Sequence, residues 1–146
     1  MPDDTLSLRP EDDPIGRAMQ WLEGIADRKD WTPKVRFGLT LSVDEALTNI
    51  VAYAFTPAAA DGPSIEPAID LVCADDGHEI KVVIADNGHA FDPTGLEIAD
   101  AALTLDEAEV GGHGLRLMRH YLKSFHYQRD GAWNRLTLVL DNPPKM

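Results

Sequence analysis

Three short stretches of this chain carry residue types whose spacing can do chemistry. The first is Gly111-Gly112-His113-Gly114-Leu115-Arg116-Leu117-Met118-Arg119-His120, which sets three glycines within four positions ahead of an apolar, helix-compatible run. Glycine has no Cβ, so such a turn brings backbone N–H groups close to a ligand. The helix it opens adds unpaired N–H donors and partial positive charge at its start, an arrangement that suits a phosphate chain. The second is the pair Glu45 and Asn49, which share a helix face at i, i+4. An amide oxygen is a ligand for a hard cation such as Mg²⁺, which keeps waters and takes phosphates as further ligands. A carboxylate one turn away can orient or deprotonate an attacking hydroxyl or water. The third is Asp86, which follows the strand-like run from Ile80 to Ala85 and precedes Gly88. A carboxylate there can accept from an exocyclic amine such as that of adenine, with Gly88 letting the base lie against the backbone.

Each stretch also has a plain reading. The glycines can be punctuation before a helix, Glu45 and Asn49 solvent-facing polar residues, and Asp86-Asn87-Gly88 a simple turn. Composition narrows the choice. The chain has 146 residues, 44% hydrophobic and 26% charged, which is a globular composition and one domain's length. Its net charge of −12 argues against nucleic acid and anionic membrane as partners. No apolar run is long enough to span a membrane, and the acidic N-terminus lacks a secretory pattern. A cytoplasmic location is expected, which the single Cys73 fits. Phosphates bound by so acidic a chain need a divalent cation, backbone donors and a few placed arginines.

The elements that must position these groups follow from capping and periodicity. Thr5 to Leu8 alternates as a short strand. Asp13 and Pro14 start a helix to Lys29, with Ile15, Ala18, Met19, Leu22, Ile25 and Ala26 on one face. Thr32 and Pro33 start a longer one to about Phe55, whose core stripe is Val35, Leu39, Val43, Ala46, Ile50 and Ala54. Gly38 inside it implies close packing or a kink. A proline- and alanine-rich loop from Thr56 to Pro67 leads to two strands, Ala68 to Ala74 and Glu79 to Ala85. Residues 94–110 are acidic without a basic residue and read as a lid or as a solvated helix and loop. A helix from Leu115 to Leu122 follows, then strands from Ser124 to Gln128 and from Asn134 to Leu140. The expected fold is one α+β domain over residues 1–146, a two-layer sandwich with a mostly antiparallel mixed sheet and helices on one face.

Taken in order, V-D-E-A-L-T-N-I-V at 43–51, D-N-G-H-A-F-D-P at 86–93 and G-G-H-G-L at 111–115 resemble the N box and the two glycine boxes of the GHKL ATPase superfamily. The features G-G-x-G-L-x-L-M-R and N-R-L-T-L are similar to those of the RsbW/SpoIIAB-type anti-sigma-factor serine kinases. That resemblance implies a Bergerat-type fold and use of ATP and Mg²⁺. Asn49 would bind the metal and Glu45 would be the catalytic base. Asp86 would contact adenine with Gly88 beneath it, and Thr137 would sit at the adenine edge beside Asp86. Gly112, Gly114 and Leu115 would close over the phosphates, with Arg116 or Arg119 as candidate phosphate contacts. It further implies a serine/threonine kinase that phosphorylates an anti-anti-sigma (STAS-domain) partner, sequesters a sigma factor and acts as a homodimer. Two positions depart from the family pattern: Ala90 replaces a second glycine, and Tyr53-Ala54-Phe55 follows the N box. The alternative is a nucleotide-dependent binding module or adaptor without turnover. The five histidines have no zinc-like spacing.

Overall fold

The computed structural model describes residues 3–55, 66–90 and 118–142. Within them the chain runs β1 (Asp4–Leu8), α1 (Pro14–Lys29), α2 (Pro33–Asn49), a π-helical turn (Ile50–Ala54), β2 (Ile69–Asp75), β3 (Glu79–Asp86), a helical stretch at 118–121, β4 (Ser124–Asp130) and β5 (Trp133–Asp141). The five strands form one sheet in the order β1-β2-β3-β5-β4. Every pairing among the described residues is antiparallel.

Both helix starts obey their capping residues. Asp13 accepts the Gly16 N–H at 3.2 Å and Thr32 accepts the Val35 N–H at 3.3 Å, with proline following each cap. Of the expected core stripes, Ala18, Leu22, Ile25 and Ala26 on α1 and Val35, Leu39, Val43, Ala46, Ile50 and Ala54 are buried, while Ile15 and Met19 are half-buried. They share one core with the inward rows of the sheet, Ile69, Leu71 and Cys73 on β2, Ile80, Val82 and Ile84 on β3, and Leu136, Leu138 and Leu140 on β5. Burial of each large aliphatic side chain contributes about 1.5–3 kcal/mol, so this row-on-stripe packing is the main source of stability. The opposite row, with Val72, Val83, Thr137 and Val139, is half-buried. This is the expected α+β sandwich with helices on one face.

Two polar links and one close packing contact hold these elements together. Trp31 Nε1 donates to Asp75 Oδ2 at 2.9 Å, tying the α1–α2 junction to the end of β2. Arg36 bridges Glu23 at 2.7 Å and Asp27 at 2.6 Å, clamping α2 to α1. Gly38 answers to close packing: a Cβ there would lie 3.0 Å from Tyr121 Cβ, so the glycine lets the 118–121 helix seat on α2. The long second helix differs from expectation in its last turn. It is α-helical to Asn49 and widens into the π turn through Ala54. That widening leaves the Ala54 carbonyl, one of the unpaired acceptors of a helix end, to take the His89 N–H at 3.1 Å.

Candidate nucleotide site

Asp86 ends the inward row of β3. Ile80, Val82 and Ile84 precede it on that face, all fully buried, and Asp86 itself is 2% exposed. A carboxylate on a core row is costly unless its oxygens are paired. The partner comes from β5, where Asn134 is opposite Asp86 in register and is itself 3% exposed. Asn134 Nδ2 donates to Asp86 Oδ1 at 2.9 Å, and the Gly88 N–H donates to the same oxygen at 3.0 Å. Among the described residues, Asp86 Oδ2 receives no hydrogen bond. Burial pushes the Asp86 carboxyl above its ordinary range, opposed by the Asn134 amide, the Gly88 N–H, and the charges of Arg129 and His89.

The turn after Asp86 is held on three sides. Asn87 pairs with the approach to β2, accepting the Ala68 N–H at 2.8 Å and donating to the Glu66 carbonyl at 2.8 Å. Arg129 Nη1 donates to the Gly88 carbonyl at 2.9 Å, and Asn134 Nδ2 donates to the His89 carbonyl at 2.8 Å. The third side is the end of the π turn. Besides the bond from His89 N–H to Ala54, His89 Nε2 donates to the Tyr53 carbonyl at 2.5 Å. Gly88 lies so close that a Cβ would stand 2.3 Å from the Ala54 carbonyl oxygen. Only glycine allows that approach.

This contact positions the rest of the site. Asn49 is five residues before Ala54, about 7 Å along a helix axis rising about 1.5 Å per residue. Glu45 is one turn further back, and both are half-buried. The pair therefore lies on the rod whose end, at Ala54, meets the turn that carries Asp86 and Gly88. Asp44, beside them, is exposed and accepts the Thr48 hydroxyl at 3.2 Å. Gly112, Gly114, Leu115, Arg116 and residues 94–110, read as a lid or as a solvated helix and loop, lie outside the described residues. Arg119 stacks over the Phe125 ring at 4.9 Å.

Thr137 is not beside Asp86. Its register partner is Val83, and its side chain belongs to the row facing away from the helices. Strand alternation sends residues 135, 137 and 139 to that face and residues 134, 136, 138 and 140 to the core. Asn134 holds the place beside Asp86 instead. The signal was in the sequence, since Asn134 is in phase with Leu136, Leu138 and Leu140.

The donor set suits a purine amine and a hard cation. Asp86 offers one acceptor oxygen at the edge of a buried, hydrogen-bonded turn. Asn49 offers a neutral oxygen. Among the described residues no three His, Cys, Asp or Glu side chains converge to hold a metal, so a cation at Asn49 would draw its other ligands from phosphates and water. None of the described helices is long and apolar enough to cross a membrane.

The model of the histidine kinase-like ATPase domain matches residues 8–140. The chain is 45% identical over 142 residues to the serine/threonine-protein kinase BtrW of Bordetella bronchiseptica, covering 97% of this chain and 96% of that protein. It is 30% identical over 122 residues to the serine-protein kinase RsbW of Bacillus pumilus and to that of Bacillus licheniformis, covering 81% of this chain and 73% of each of those proteins. With its five-stranded sheet, its helix-borne Glu45 and Asn49 and its buried Asp86 turn, the chain belongs to the histidine kinase-like (GHKL) ATPase domain family, in the group that includes BtrW and RsbW.

Proposed function

We propose that the chain is an ATP-dependent protein serine/threonine kinase of the anti-sigma-factor type, acting with Mg²⁺ in the cytoplasm as a homodimer. The observation that carries this reading is the buried Asp86, with one oxygen tied to Asn134 and Gly88, on a turn docked against the helix that bears Glu45 and Asn49. The kinase names of the relatives support the same activity. The substrate would be a serine of an anti-anti-sigma (STAS-domain) partner, and the second ligand a sigma factor, as the family resemblance implies.

Bound Mg-ATP supplies the transferable phosphoryl group and the cation that neutralises its oxygens. Asp86 accepts from the amine of the base, and Gly88 gives the base access to the turn. Asn49 would hold the metal through its amide oxygen. The resemblance assigns the phosphate contacts to Gly112, Gly114 and Leu115, which lie outside the described residues. Glu45 orients the serine hydroxyl and takes its proton as the serine oxygen bonds to the γ-phosphorus. The bond from that phosphorus to the bridging oxygen breaks, and ADP departs with the bond's electron pair. Positioning and charge stabilisation supply most of the acceleration in such reactions.

The test is incubation with γ-labelled ATP, Mg²⁺ and a purified STAS-domain partner. Phosphoserine is expected on the partner. Glu45→Ala is expected to slow transfer by about 10²–10⁴-fold, the usual contribution of a general base. Nucleotide binding without transfer in the wild type would overturn the kinase reading and leave a nucleotide-dependent binding module.

A further inference from the structure

The group next to Asp86 is an amide whose own orientation is locked. Tyr127 OH donates to Asn134 Oδ1 at 2.6 Å, and Arg129 Nη1 donates to the same oxygen at 3.2 Å. An amide has one acceptor end and one donor end. Two donors on Oδ1 leave only one orientation, with Nδ2 turned to Asp86 Oδ1 and the His89 carbonyl. A reversed amide would set its NH₂ against the Arg129 guanidinium, which only donates, and its oxygen against a carboxylate and a carbonyl. The consequence reaches Asp86. With Oδ1 occupied by Asn134 and Gly88, its second oxygen is the acceptor left for a ligand.

We propose that Asn134, oriented by Tyr127 and Arg129, is a positioning residue that fixes which oxygen of Asp86 meets the base, and thereby sets the preference for adenine over guanine. This rests on the proposed role of Asp86 as the base contact. A fixed, ionised acceptor receives an exocyclic amine and repels the carbonyl that guanine presents at the same ring position. Freed from Asn134, the carboxyl rotates and takes up a proton more readily, and a protonated carboxyl donates to that carbonyl instead. The charged and polar groups facing Asp86 are Arg129 and Asn134 from the β4–β5 hairpin, and His89 and the Gly88 N–H from its own turn. Loss of Asn134 removes one of the interactions that hold the carboxyl ionised.

The test compares dissociation constants for Mg-ATP and Mg-GTP in the wild type, Asn134→Leu, Tyr127→Phe and Asp86→Asn, from pH 5.5 to 8. Thermal unfolding checks that each variant is folded. Asn134→Leu is expected to reduce the ATP-to-GTP preference by about tenfold or more, the worth of a hydrogen bond to a charged group. Its ATP affinity should weaken as pH falls, while that of the wild type changes less. Tyr127→Phe retains the ring and the Asn134–Asp86 bond but removes one lock, and is expected to lose about threefold of the preference. Should Asn134→Leu fail to fold, Tyr127→Phe decides alone. Wild-type preference and pH profile in the folded variants, with Asp86→Asn having lost both, would overturn this proposal and leave the role of Asp86 intact. No preference for ATP in the wild type would overturn that role, and this proposal with it.

Discussion

Gly88→Ala tests the contact that joins the nucleotide turn to the helix. An added Cβ would stand 2.3 Å from the Ala54 carbonyl oxygen, 2.8 Å from its carbonyl carbon and 2.8 Å from Ala54 Cβ. Carbon and carbonyl oxygen pack no closer than about 3.3 Å, so the turn must open by about 1 Å. The carbonyl cannot swing aside cheaply, because it accepts the His89 N–H at 3.1 Å. Overpacking of this kind costs about 1–3 kcal/mol, and the weakened hydrogen bond adds about 1 kcal/mol. The sum, about 2–4 kcal/mol, is a large share of the 5–15 kcal/mol typical of a domain. At about 4 °C per kcal/mol for a chain of this size, Tm should fall by roughly 8–16 °C. Gly24→Ala is the control. It sits within α1, and a Cβ there meets nothing within 4 Å, so stability should rise by about 0.5–1 kcal/mol. Thermal unfolding of the two variants beside the wild type measures the difference. A Gly88→Ala protein with Tm within 2 °C of wild type, or one no different from Gly24→Ala, would refute the packing argument.

Asp86→Asn should weaken Mg-ATP binding at least tenfold while leaving stability at pH 7 no lower than wild type. The raised carboxyl makes its ionised form a folding cost at neutral pH. That cost fades as pH falls through the raised folded-state value and is gone below the unfolded value near 3.8. Denaturant titrations should therefore show the variant's stability advantage shrinking on acidification; an advantage that grows would contradict this. Trp31→Phe removes the 2.9 Å bond to Asp75 and should cost about 1.5–3 kcal/mol by denaturant unfolding, with nucleotide affinity unchanged. Cys73 is buried, and its thiol is pushed up to about 12 by burial and the nearby carboxylates of Asp4 and Asp75. Iodoacetamide at pH 8 should alkylate it only through unfolding, at a rate that rises with denaturant. Leu39→Ala, at the centre of α2 and fully buried, should lose about 2–5 kcal/mol.

Local chemistry made the helix starts legible: Asp13-Pro14 and Thr32-Pro33 state a cap and a first turn without reference to the rest of the chain. The core stripes were legible for a similar reason, since their period alone selects a face. The hairpin of β2 and β3 follows from alternation around Asp75-Asp76-Gly77-His78. The Asp86-Asn87-Gly88 turn was legible because it belongs to a single short segment after a strand. The π turn at Ile50–Ala54 was not legible, because what stabilises it is a partner 35 residues away, the His89 N–H on Ala54. Thr137 was misplaced by a motif reading that ignored strand phase, although the apolar residues 136, 138 and 140 define the inward row. Asn134, quoted within N-R-L-T-L, carried no role of its own, because asparagine in a strand reads as an edge or turn residue until the register sets it against Asp86. Gly38 implied close packing, but only tertiary structure names Tyr121 as the neighbour.

The proposed kinase activity requires that Glu45, Asn49 and the Asp86 turn wall a single Mg-ATP site. A crystal structure of the protein with Mg²⁺ and a non-hydrolysable ATP analogue tests it most directly. The adenine amine is expected on Asp86 Oδ2 and the metal on the Asn49 amide oxygen at about 2.1 Å, with Asn134 unmoved. A nucleotide bound with its base away from Asp86, or a metal held without Asn49, would contradict it.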